Sequence, residues 1–145
     1  MIVGVPKEIK EQEGRIGLTP AGAEALTKAG HEVHVQQGGG AGAGIRDEEY
    51  TAAGAKLVAA AADIYGRADM IVKVKEPLES EYKLVRPGQT VFTYFHFAAL
   101  RPLLDAMIKS GAHCFAYETL EGPGGLPLLT PMSEVAGRMA VQVGA

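Results

Sequence analysis

With one cysteine, no tryptophan and only nine phenylalanines and tyrosines in 145 residues, this sequence lacks several common structural staples. Cys114 has no partner for an internal disulfide, and thiolate metal sites need more than one such ligand. Its apolar setting, Ala112-His113-Cys114-Phe115-Ala116, predicts a buried thiol rather than a nucleophile. No segment approaches the ~20 apolar residues that a membrane helix requires. The 14 basic and 17 acidic residues are scattered, for a formal charge of −3, and no Lys/Arg cluster marks a nucleic-acid or anionic-membrane surface. Ile2-Val3-Gly4-Val5 runs straight into charge, which is not the basic-then-apolar plan of a signal peptide. The expectation is a cytoplasmic protein with a small-molecule partner, and with no metal, nucleic acid or membrane.

What is present reads as a globular α/β chain. Hydrophobic residues make up 47% and charged residues 21%, ordinary values for a domain with a real core. Short β-branched runs alternate with Ala-rich stretches, the pattern of βαβ crossovers and hence of a mostly parallel sheet with flanking helices. Strands are predicted at Ile2–Val5, Glu32–Gln36, Lys56–Val58, Met70–Lys73, Thr90–Phe95 and His113–Tyr117. Helices are predicted at about Pro20–Ala29, Asp47–Ala53, Ala60–Gly66, Ser80–Val85 and Leu100–Ser110. Thr19-Pro20 is a cap followed by a proline whose missing N–H costs nothing there. Asp47 is placed to cap the next helix, and Gly30, Gly54 and Gly111 to close theirs. Thr130-Pro131 repeats the cap signal before a helical pattern over Met132–Ala145. Residues 1–130 are therefore expected to form one domain, and 131–145 to begin a linker helix toward a further domain.

Gly38 to Gly44, following a strand, invites a dinucleotide reading. It does not fit: no helix is expected to open inside the cluster, and the position ~20 residues on, where an acidic ribose ligand belongs, falls near Leu57-Val58. A strand-to-helix loop is the simpler reading.

Ligands of open parallel sheets settle at the carboxyl ends of the strands. Arg15, Lys75, His96 and Glu118 all follow predicted strands, and their types suit a small carboxylic acid. A guanidinium fork and an ammonium hold a carboxylate, and an imidazole exchanges protons near neutrality. Each also has an ordinary structural reading. Lys75 would be a solvated charge, Arg15 a surface ion pair, His96, between Phe95 and Phe97, a core histidine, and Glu118 a residue that orients a neighbour. For His31, His34 and His113 a structural role is favoured.

Several blocks resemble the alanine dehydrogenase family. They are Val3-Gly4-Val5-Pro6-Lys7-Glu8, Arg15-Ile16-Gly17-Leu18-Thr19-Pro20, Val72-Lys73-Val74-Lys75-Glu76-Pro77, Phe92 to Ala99 and Pro127 to Arg138, all in the family's order. The resemblance implies a Rossmann-like substrate domain and reversible NAD-dependent oxidation of L-alanine to pyruvate and ammonia. It casts Arg15 and Lys75 as carboxylate and carbonyl binders, His96 and Lys75 as catalytic groups, and Met132 and Ser133 as residues near substrate. It further implies an NAD site beyond residue 145, so that these 145 residues alone would be inactive, and a homo-oligomer, by family resemblance a hexamer. Two other readings stay open: the soluble α subunit of a proton-translocating transhydrogenase, and a non-catalytic binding or assembly module.

Overall fold

A computed structural model describes all residues 1–145. Six strands form one sheet: β1 (Ile2–Val5), β2 (Glu32–Gln36), β3 (Lys56–Val58), β4 (Met70–Val72), β5 (Thr90–Thr93) and β6 (His113–Ala116). Their order is β3-β2-β1-β4-β5-β6, and every pairing is parallel. This is the order of a doubly wound sheet, in which the winding reverses between β1 and β4. Loops leaving those two strands diverge and open a crevice at their carboxyl ends.

Helices α1 (Pro20–Lys28) and α2 (Asp47–Ala52) cover one face. They bury Ala23 and Tyr50 against Val3, Val5, Val33, Val35 and Val72. On the other face lie α3 (Ala61–Arg67), the single turn α4 (Glu79–Tyr82) and α5 (Arg101–Ser110), where Ile64, Tyr65, Leu103 and Met107 pack on Ile71, Val91 and Phe95. α3 comes very close to β1. A Cβ on Gly4 would lie 2.5 Å from Ile64 Cγ2, so only glycine permits this helix–sheet contact.

The end signals are mixed. Thr19 Oγ1 accepts the Gly22 N–H, and Gly30, Gly54 and Gly111 take positive φ, as expected. Asp47, by contrast, does not cap α2. The N-cap is Arg46, whose N–H donates to Glu49, and the Asp47 carboxylate accepts the Gly38 N–H instead. Thr130 likewise lies inside α6 (Thr130–Gly144), and its hydroxyl donates to the Leu126 carbonyl. The predicted strands over Met70–Lys73, Thr90–Phe95 and His113–Tyr117 each end earlier than expected. Their last residues bend into the loops that carry polar side chains.

The glycine cluster forms a loop with a single 3-10 turn at Ala41–Ala43. Its use is close packing: a Cβ on Gly42 would sit 2.6 Å from the Gly14 carbonyl oxygen, so the cluster rests backbone to backbone on the loop after β1.

Candidate functional site

Four strand ends contribute to one polar crevice of about 390 Å3, lined by Arg15, Lys75, Tyr94, His96, Glu118, Leu129, Met132, Ser133 and Ala136. Arg15 arrives on the long loop after β1, Lys75 on the loop after β4, Tyr94 and His96 after β5, and Glu118 after β6. The start of α6 closes the fifth side with Met132 and Ser133. A larger apolar crevice of about 530 Å3 adjoins it and shares Arg15, Tyr94 and Met132. The smaller one is the better candidate for an anion, because it alone gathers the three cationic or basic side chains.

Glu13 fixes the Arg15 guanidinium. Arg15 Nε and Nη2 donate to the two Glu13 oxygens at 2.8 and 2.7 Å, and Glu13 Oε1 also accepts the Arg15 N–H at 2.9 Å. Chiefly through the side-chain hydrogen bonds, this pairing holds the Glu13 carboxyl down at about 2 and raises the Arg15 pKa further. Two of the five guanidinium N–H groups are thereby used, and the Nη1/Nη2 edge keeps its donors for a second carboxylate.

Lys75 is held through its backbone. Its N–H lies 3.4 Å from Glu8 Oε1, which accepts the Val74 N–H at 2.6 Å, and its carbonyl accepts the Thr93 hydroxyl at 2.9 Å. Glu8 is buried, and its other oxygen pairs with Lys73 Nζ at 3.2 Å. Burial raises the Glu8 carboxyl above its ordinary range despite the pull of Lys73.

His96 has a left-handed backbone, φ 54 and ψ 36, unusual outside glycine. Glu118 stabilises that bend. Its carboxylate accepts the His96 N–H at 2.7 Å and the Phe95 N–H at 3.1 Å. The imidazole stacks near the Tyr94 ring, centroids 6.1 Å apart, and its Nδ1 lies 3.2 Å from Glu76 Oε2. Lys10 pairs with the other Glu76 oxygen. Tyr94 donates its hydroxyl to the Leu128 carbonyl at 2.9 Å, tying the segment before α6 to the crevice; burial and Glu118 raise the Tyr94 pKa.

The six residues singled out in the sequence, Arg15, Lys75, His96, Glu118, Met132 and Ser133, thus share one crevice. His96 is exposed rather than a core histidine. The residues that hold them, Glu8, Lys10, Glu13, Glu76 and Tyr94, were not singled out. The legible signal was the run of glutamates in the loops after β1 and β4. Of the other histidines, His34 is buried and bonded to Glu32, and His113 is exposed at the edge strand. The Cys114 thiol is half-buried, and that burial pushes its pKa up.

NAD does not fit this sheet's crevice in the usual way. A dinucleotide at the β1/β4 reversal needs a glycine turn straight from β1 into a helix N-terminus. Here β1 leads into Pro6-Lys7-Glu8, and α1 begins only at Pro20. The 3-10 turn in the glycine cluster is too short to offer a helix N-terminus in its place.

A six-stranded parallel sheet wound in both directions, with Arg15, Lys75 and His96 gathered near its reversal point, places the chain in the class of Rossmann-like α/β domains. Residues 4–136 match the family model described as alanine dehydrogenase/PNT, N-terminal domain, and the chain belongs to that family. Across its full length it is 52% identical to the alanine dehydrogenase of Mycolicibacterium smegmatis and 51% identical to that of Methanococcus maripaludis, covering 39% of each. A solved L-alanine dehydrogenase superposes with a TM-score of 0.95 at 51% identity, over all of this chain and 40% of that one. A transhydrogenase structure from Sinorhizobium meliloti aligns less closely, with a TM-score of 0.79 at 31% identity over 83% of this chain and 34% of that one. The chain spans about two fifths of the length of these relatives. No helix is long and apolar enough to cross a membrane.

Proposed function

We propose that this chain is the substrate-binding part of an NAD-dependent alanine dehydrogenase, interconverting L-alanine with pyruvate and ammonia. The observation that supports it most is the convergence of Arg15, Lys75 and His96 on one crevice. The free edge of Arg15 takes the substrate carboxylate as a fork, and Lys75 supplies a point charge to the carboxylate and the carbonyl oxygen. His96 takes and returns the proton as water adds to the α-carbon and ammonia leaves. Met132 and Ser133 shape the side formed by the start of α6. The redox half belongs to NAD, for which these residues make no dinucleotide cradle. A proton carrier at the crevice favours this reading over a transhydrogenase-like one, since amine–ketone exchange requires one.

Helix α6 contains no buried residue and exposes Val135, Met139, Val141 and Val143. Such a helix suits a connection covered by further protein, and residues 1–130 form the substrate domain in this reading. Pyruvate titration of the 145-residue polypeptide, followed by calorimetry, tests the assignment. Saturable binding weakened at least tenfold in Lys75→Ala is expected, with no alanine-dependent NADH formation. Failure of the folded chain to bind pyruvate would favour an assembly module instead.

A further inference from the structure

His96 can exchange protons with substrate through only one ring nitrogen at a time, and its surroundings select which. Nδ1 faces Glu76 Oε2 at 3.2 Å, and Glu76 is only 4% exposed. Burial acting alone would raise the Glu76 carboxyl. Hydrogen bonds from Lys10, from its own backbone amide and from His96 outweigh that effect and lower it. An ionised carboxylate has no proton to give, so the shared proton must sit on Nδ1. The other charged groups near the ring do not compete for that position. Glu118 is occupied by the Phe95 and His96 backbone amides, and Lys75, across the crevice, is a donor only.

We propose that Glu76 is the positioning residue of His96: its carboxylate fixes the neutral ring in the Nδ1–H form and leaves Nε2 as the nitrogen that serves the crevice. The assignment rests on the functional reading above only for what Nε2 does. Which nitrogen carries the proton follows from the Nδ1–Glu76 contact and from the carboxylate's being ionised, whatever the crevice binds. Lys10 acts one step further out, because it holds the second Glu76 oxygen and limits rotation of the carboxylate. The chain order is economical, since Lys10, on the loop after β1, reaches the loop after β4, which in turn orients the loop after β5.

Imidazole nitrogen NMR of the 15N-labelled 145-residue chain, at a pH where His96 is neutral, reads the tautomer directly. In the wild-type chain the Nδ1–H form is expected to exceed the other by roughly tenfold or more, the factor that a hydrogen bond to a charged group supplies. Glu76→Ala should collapse that ratio toward a mixture, and Glu76→Gln, which keeps a carbonyl oxygen as acceptor but loses the charge, should fall between the wild type and the alanine variant. Should the alanine variant not fold, the wild-type spectrum and the glutamine variant still decide. A predominantly Nε2–H ring in the wild type, or an unchanged ratio in a folded Glu76→Ala chain, overturns the proposal. The tautomer is read without substrate, so a chain with the expected ring but no pyruvate affinity would sink the functional reading and leave the ring assignment standing.

Discussion

Lys73 is 1% exposed, and its ammonium lies 3.2 Å from Glu8 Oε2 and 3.1 Å from Glu81 Oε1. The Tyr65 hydroxyl adds a third contact, donating to Glu81 Oε1 at 3.0 Å. Burial and the Glu81 charge push the Tyr65 phenol well above its ordinary pKa, so it stays a donor. Removing the cation while both carboxylates remain would leave buried charge uncompensated, a loss of about 3–5 kcal/mol. Lys73→Ala is expected to lose that much in urea denaturation. Lys73→Met combined with Glu8→Gln and Glu81→Gln should recover most of it, because charge and counter-charges are then removed together. A loss below about 1 kcal/mol in the single variant would show that the cluster is not electrostatically coupled. From the sequence, Lys73 was only the end of an apolar strand. What a period-two pattern could not supply was Glu81, eight residues on, and Glu8, on another strand's loop.

At the level of elements, the strands were legible because short β-branched runs such as Ile2–Val5 favour the pleated sheet. The register of helix ends was less so. Asp47 and Thr130 were both expected as caps, yet each is the first residue inside its helix and bonds outside it, to the Gly38 amide and the Leu126 carbonyl. The glycine cluster forms the loop expected of it, but its packing role depends on a contact between two loops that no local pattern encodes. That contact bears on the site, since Gly14 immediately precedes Arg15. Gly42→Ala would drive a methyl group to 2.6 Å from the Gly14 carbonyl, and backbone there has little room to yield. Pyruvate affinity is expected to fall roughly tenfold as Arg15 shifts, while the thermal midpoint moves by only a few degrees because both loops lie outside the two buried cores. A calorimetric titration beside a melting curve checks both halves, and an unchanged affinity would mean that the loop after β1 is positioned without the cluster.

For the molecule as a whole, the strand order was the least legible feature. Six parallel strands can be arranged in many ways, and the observed order places the loops after β1 and β4 on either side of a crevice, with those after β5 and β6 beyond. That is why Arg15 and His96, 81 residues apart in the chain, line one crevice; the sequence placed both at strand ends on one edge, but not which strands are neighbours. The same loops govern how the molecule responds to acid. Glu13, held at about 2 by Arg15, and Glu76, lowered by Lys10 and His96, bind fewer protons folded than unfolded. Folded-state pKa values below the unfolded ones mean stability that is present above the ordinary carboxylate range and is lost as pH falls through it toward 2. Glu8 has the opposite sign: burial raises it, so its protonation on acidification relieves a cost and offsets part of the loss. The thermal midpoint is therefore expected to hold from neutrality to about pH 5 and then to fall steeply between about pH 4.5 and 2. Glu13→Gln should start lower at pH 7 and converge with the parent near pH 2, since the variant has no carboxylate at position 13 to titrate. Parallel curves for the two proteins across that window would show that the Arg15–Glu13 pair, though bidentate, contributes nothing to folding, and that Arg15 is held in place by the loop alone.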